Sequence, residues 1–287
     1  MKRQIKNGFT LIELLVVISI IALLLSILMP GLNRAKQAAQ SVVCLSNLKQ
    51  CGVVVNSYAI DNKNKLQYHW FARNQSGGPM FNNMSDSPKI MWMYAAESYY
   101  QDPKLMQCPI AKTLKEPLGA DGGVGDVTHA WIATWAQPLK STGKPATSGL
   151  TFNDWLGSEG QTATGAGVTS NVFGSTLQSQ PDKIPVMLDG SWYHTMPSPS
   201  DLPPRQDPRK NPRMAIKDGP GTSGTWFGYV TLPRHQQKTQ AVFLDGSAKK
   251  LGLRSLWELK WNKTWRYSDC RVAKPGFDWG WMKSLPE

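Results

Sequence analysis

Three groups of residues in this 287-residue chain have types and spacings suited to chemistry. His235 is followed by nine residues and then Asp245-Gly246 (HQQKTQAVFLDG), so an imidazole and a carboxylate flank a short apolar run. Such a pair would serve acid–base catalysis, as in a hydrolase, or metal binding. The competing reading is structural. Ala241 to Leu244 is then a buried strand, Asp245-Gly246 the turn that ends it, and His235 the start of the preceding turn, bonded across to the loop. The structural reading is favoured. No G-x-S-x-G presents a serine nucleophile, and His69, His129, His194 and His235 show no zinc-site spacing. No metal, no other cofactor and no enzymatic activity are therefore expected.

The second group is Cys44, Cys51, Cys108 and Cys270. On one helix Cys44 and Cys51 would stand about 10.5 Å apart, beyond the ~7 Å reach of a disulfide. Two bridges would then tie the helix to Cys108 and to Cys270, in either of two connectivities. Four free buried thiols are the alternative, and both stay open.

Glu13 forms the third group alone, five residues into the apolar run Phe9 to Met29. Those 21 residues span roughly the 30 Å of a bilayer core as a helix. Lys2, Arg3 and Lys6 precede them, which predicts a cytoplasmic N-terminus with the bulk of the chain outside. A carboxylate in such a segment costs about 2.5–3.5 kcal/mol on insertion scales, so it needs an interfacial position, a partner or a task. The segment Gly8-Phe9-Thr10-Leu11-Ile12-Glu13 resembles the prepilin signal of type IV pilins and type II secretion pseudopilins. The resemblance implies peptidase cleavage after Gly8, N-methylation of Phe9 and a role for Glu13 in assembly. Physically, the ammonium freed on Phe9 of one subunit would meet Glu13 of another, offsetting two desolvation costs. The spacing from His235 to Asp245-Gly246 also resembles an H-x9-DG motif found near the C-terminus of many such proteins. The segment from Cys44 to Gln50 and the pair Cys108-Pro109 resemble the same group.

These groups need elements to position them. Ala35, Ala38, Ala39, Val42, Leu45, Leu48, Val55 and Ala59 recur at helical spacings among polar residues, predicting that the helix runs on to about Ile60. Pro30-Gly31 would kink it and Asp61 to Asn64 would stop it. Pro185-Val186-Met187-Leu188-Asp189-Gly190-Ser191 echoes Ala241 to Ser247, predicting two neighbouring strands with similar turns. Trp257, Trp261 and Trp265 are spaced as one face of a helix, read as packing surface. Residues 138–182 and 197–224, rich in Pro, Gly and Ser, read as surface insertions.

With 41% hydrophobic and 18% charged residues, 25 Gly and 20 Pro, disorder, collagen and coiled-coil rods are excluded. The expected fold class is α+β and pilin-like: a long membrane-spanning N-terminal helix packed on an antiparallel β head with loop-rich insertions. The expected division is a leader at 1–8, a membrane helix at 9–29, an amphipathic continuation at 30–60 and an exported head at 61–287. The expected partners are the prepilin peptidase and methyltransferase, other pilin subunits and the inner membrane. Net charge is +12, and residues 201–287 carry 16 Lys and Arg against 8 Asp and Glu with half the tryptophans. This permits an alternative, a prepilin-anchored surface protein that binds DNA or acidic polysaccharide through a basic, Trp-rich tail.

Overall fold

A computed structural model describes residues 10–66, 92–113, 123–133, 139–157, 171–210 and 226–287. The chain divides into two compact units, 1–40 and 41–287. Gly8, Phe9 and His69 lie outside the described residues, as do 138, 158–170 and 211–224 of the expected insertions.

The first unit holds the start of α1 (Leu11–Asp61), which continues through Pro30. Its large apolar side chains, among them Ile12, Leu23 and Ile27, are exposed. This helix is long and apolar enough to cross a membrane. Ser19 and Ser26 donate their hydroxyls to the carbonyls of Val16 and Leu23, 2.7 Å in each case. Neither hydroxyl then asks its surroundings for an acceptor, which suits a hydrocarbon environment.

In the second unit α1 packs on a five-stranded sheet. β1 (Trp131–Ile132) and β2 (Thr147–Ser148) form a separate antiparallel ribbon. β3 (Leu150–Asn153), β4 (Pro185–Asp189), β5 (His194–Thr195), β6 (Thr239–Phe243) and β7 (Ala248–Leu251) make the main sheet. Its order is β5-β3-β4-β6-β7. The two echoed segments are adjacent and antiparallel, with Leu188 opposite Ala241. The expected α+β class, a long helix with a largely antiparallel sheet, is what the structure has, and within the sheet only the short β5 departs, pairing with β3 in parallel.

The face of α1 that meets the sheet also differs from the apolar tally. Ser41, Cys44, Leu48, Cys51, Gly52, Val55 and Ala59 are buried, while Val42 is 67% exposed. Small residues carry the seam because helix and β6 approach closely. A Cβ on Gly52 would come within 2.7 Å of Val242 Cγ2. Gln240 on β6 donates its Nε2 to the Ser41 carbonyl and hydroxyl at 2.9 and 2.7 Å. The helix ends where expected, through left-handed Lys63 and Asn64, with Asn64 N bonded to Ala59 O at 2.7 Å.

Two further expectations are overturned. Residues 138–182 are not simply a surface insertion, because Leu150 to Asn153 form a wholly buried strand inside the main sheet. Covered on both faces, β3 has no alternation to reveal it amid Pro, Gly and Ser. The Trp257, Trp261 and Trp265 segment is not an extended helix but a 3₁₀ turn (Arg254–Glu258) followed by irregular chain. All three indoles nonetheless go inside, around Phe227. Trp257 stacks on that ring with centroids 3.9 Å apart, and Trp261 meets it edge-on at 5.5 Å. Each indole N–H is satisfied internally, by Asp201 O, Leu256 O and Trp257 O.

Candidate functional site

The motif residues His235 and Asp245 do not meet. All five residues of β6, about 16 Å of strand, stand between them. Asp245 is exposed and accepts from Ser247 N and Oγ at 2.9 and 2.7 Å, closing the turn that contains left-handed Gly246. A catalytic or metal-binding pair of His235 with Asp245 is thereby excluded. His235 instead opens a tight turn, exchanging both backbone hydrogen bonds with Lys238 across left-handed Gln236 and Gln237. That turn delivers the imidazole into the interior.

There it finds Asp189, the last residue of β4. His235 Nε2 lies 3.1 Å from Asp189 Oδ2, and both side chains are fully buried. Cys108 Sγ is 3.4 Å from the same nitrogen, and Cys44 Sγ, from α1, is 3.6 Å from Asp189 Oδ1. The four ligand-type atoms lie within 4.8 Å of one another. Gln240 N donates to Asp189 Oδ2 at 3.0 Å, fixing the carboxylate. Gly149 makes room for Cys108, since a Cβ there would come within 2.8 Å of the cysteine Cβ.

The electrostatics follow from packing these groups away from water. Burial alone would raise Asp189, but His235, Arg234 and the Gln240 N–H outweigh it and hold the carboxylate below its usual range. Burial disfavours the His235 cation too, yet Asp189 and Cys108 overcome that and lift the imidazole to about 9. The hydrogen bond with Cys44, helped by His235 and Arg234 against burial, lowers Cys108 to about 6. Cys44 is pushed far upward by the same hydrogen bond, by burial and by Asp189. The Arg234 guanidinium is itself buried and spends its donors on backbone, to Val127 O at 3.0 Å, Gly149 O at 2.6 Å and Asp126 O at 2.6 Å.

A thiolate beside an imidazolium suggests a nucleophile, but the layout is wrong for one. A nucleophile–base–orienter relay uses both ring nitrogens. Here Cys108 and Asp189 share Nε2, and Nδ1 has no hydrogen-bond partner among the described residues. No member exceeds 1% exposure, so a substrate cannot reach the sulfur. The chemistry open to such a set is metal ligation.

The other candidates sit apart. His129 pairs with Asp126 at 3.0 Å, and His194 hydrogen-bonds Asp154. All four cysteines are free, buried thiols. Cys51 Sγ faces Leu105 O and Met106 Sδ, and Cys270 Sγ faces the Trp257 and Arg266 carbonyls. Sequence reasoning missed Asp189 as the partner of His235 and missed Arg234 altogether. The one available signal was the echo, which places an aspartate at the end of a strand paired with the motif strand.

In the first unit, Glu13 closes the N-terminus of α1. Its Oε2 accepts from Thr10 N at 2.9 Å and from Thr10 Oγ1 at 2.7 Å, while Glu13 N donates to Thr10 Oγ1 at 3.3 Å. This is a reciprocal capping box, Thr at the cap and Glu three residues on. It satisfies donors that would otherwise be orphaned at the helix start.

Comparison with known proteins bears on that same segment. Residues 3–29 match the family described as the prokaryotic N-terminal methylation motif. Over 56 residues the chain is 45% identical to the type IV wide pilus major component PilA4 of Thermus thermophilus. That match covers 20% of this chain and 43% of the relative. No solved structure matches the chain. The chain thus carries a prepilin-type N-terminal segment on an α+β fold.

Proposed function

We propose that the protein is a structural, pilin-like subunit. Prepilin peptidase removes residues 1–8, Phe9 is N-methylated, and the chain assembles through α1 into a type II secretion pseudopilus or type IV pilus-like fibre. Before assembly the apolar run 9–29 spans the inner membrane with residues 1–8 in the cytoplasm, and the β-rich remainder faces out. The observation that carries this reading is the methylation motif at residues 3–29, which from Leu11 onward forms a helix whose large apolar side chains are exposed. Exposed apolar surface on that scale calls for lipid or for the same helix of other subunits. Similarity to a pilus component over 56 residues supports it. Trp257, Trp261 and Trp265 are buried and have no face to offer a base or a sugar, which favours the packing reading of that stripe over a stacking one.

Glu13 has two successive tasks in this account. In the precursor its carboxylate caps the helix through Thr10, which lowers the cost of carrying it into the membrane interface. After cleavage, the new Phe9 ammonium of a neighbouring subunit provides a stronger, charge-bearing partner. Co-expression with a prepilin peptidase and a cognate assembly system tests this. Glu13→Ala is expected to be cleaved as the unmodified chain is but to remain in the membrane pool, absent from sheared fibres. Incorporation of Glu13→Ala at the unmodified level would overturn the assigned role.

A further inference from the structure

We infer that Cys44, Cys108, Asp189 and His235 form a buried tetrahedral site for zinc, a structural metal centre that staples the helix to the sheet. Zinc bound by two thiolates, an imidazole and a carboxylate has bond lengths of about 2.0–2.3 Å, and tetrahedral angles then separate the ligand atoms by roughly 3.3–3.8 Å. The separations here are 3.1 Å for His235 Nε2 to Asp189 Oδ2 and 3.4 Å for Cys108 Sγ to His235 Nε2, while Cys44 Sγ stands 3.6 Å from the other carboxylate oxygen, Oδ1. All four atoms fit within 4.8 Å, so the set closes on an ion with small side-chain adjustments.

The four ligands come from four separate segments: α1, the chain before β1, the end of β4 and the turn into β6. Chance convergence of two sulfurs, a nitrogen and a carboxylate from such distant positions into one buried spot is costly unless something binds them together. Charge is balanced too. Two thiolates and a carboxylate contribute −3, and a dication plus the adjacent Arg234 guanidinium restores neutrality. The mixed sulfur, nitrogen and oxygen donor set suits zinc and is too soft for magnesium or calcium. Full protein ligation and burial leave no open position, so the centre is structural. It cross-links the inner stretch of α1 to three parts of the head, where a disulfide would join only two.

Zinc analysis of the full-length chain, purified in detergent without chelator, tests the site. The expected result is one zinc per chain, exchangeable for cobalt with thiolate-to-cobalt charge-transfer absorption of a tetrahedral site. Cys108→Ser and Asp189→Asn each lose at least about 100-fold in zinc affinity, beyond what disturbing an outer-shell partner costs. Cys51→Ser, whose sulfur faces Met106, keeps the full complement. Should the ligand variants fail to fold, the cobalt spectrum of the unmodified chain and the Cys51→Ser control decide the matter. A folded, reduced chain that holds no zinc when supplied with it would overturn the inference. So would a Cys44–Cys108 disulfide in protein taken from its native host.

Discussion

Asp189 and Asp245 end two strands of nearly the same sequence, Pro185 to Ser191 and Ala241 to Ser247, yet they live in opposite worlds. Asp189 is completely buried against His235, Cys44 and the Gln240 amide. Asp245 is exposed and bonds only within its own turn. The cause is the antiparallel pairing of β4 with β6, which sends the two Asp-Gly-Ser ends to opposite edges of the pair. Only the β4 end lies beside the turn that carries His235. Identical local chemistry therefore becomes a turn in one place and the anchor of a buried charged cluster in the other.

The sharpest way to break that comparison is to neutralise each aspartate. In the metal-free chain Asp189→Asn leaves the His235 and Arg234 cations facing no carboxylate and should cost about 3–5 kcal/mol in denaturant unfolding. A loss below about 1 kcal/mol would mean that the cluster is not held by charge. A third aspartate shows what burial does without an adjoining cation among the described residues. Asp201 accepts backbone N–H groups from Trp226 at 3.0 Å and Ser198 at 3.2 Å, and desolvation lifts its pKa to about 6 despite them. Between roughly pH 4 and 6 the folded chain then binds more protons than the unfolded one, so stability falls as pH rises, by about 2–3 kcal/mol in all. Asp201→Asn should flatten that part of the pH–stability curve, and an unchanged slope would refute the assignment.

Smaller effects separate the two glycines that follow the echoed aspartates. A Cβ at Gly190 would run into the Thr151 side chain, so Gly190→Ala should cost about 1–3 kcal/mol through overpacking. Gly246 has open space, with Asn56 Nδ2 nearest at 3.9 Å, and its penalty is the left-handed backbone alone at φ +79°. Gly246→Ala should therefore cost about 1 kcal/mol. Thermal melts that ranked these two in reverse order would contradict the packing described. Asp245→Asn keeps an acceptor for Ser247 and should change stability by less than about 0.5 kcal/mol.

What was legible in the sequence divides along the same line as these effects. Features written in contiguous residues could be read: the apolar run, the helix to about Ile60, the stop within Asp61 to Asn64 and the adjacency of the echoed strands. Features that depend on distant segments meeting could not. Cys44, Cys108, Asp189 and His235 have no spacing in common, because a helix, a loop, a strand end and a turn each contribute one residue. The helix seam was misread for a related reason. Hydropathy favoured Val42, but close approach to β6 selects Ser41 and Gly52, and Cys44 is turned in toward Asp189 on β4. The tryptophans were read rightly as packing and wrongly as a helix, since the 3₁₀ turn and irregular chain around Phe227 bring the same three indoles together.

The central claim, that this chain is processed and assembled as a pilin-like subunit, meets its most direct test in the mass and N-terminal sequence of the membrane-bound protein from its native host. A chain that begins at N-methylated Phe9 is the expected result. A chain that keeps Met1, or one that starts beyond Met29, would contradict it.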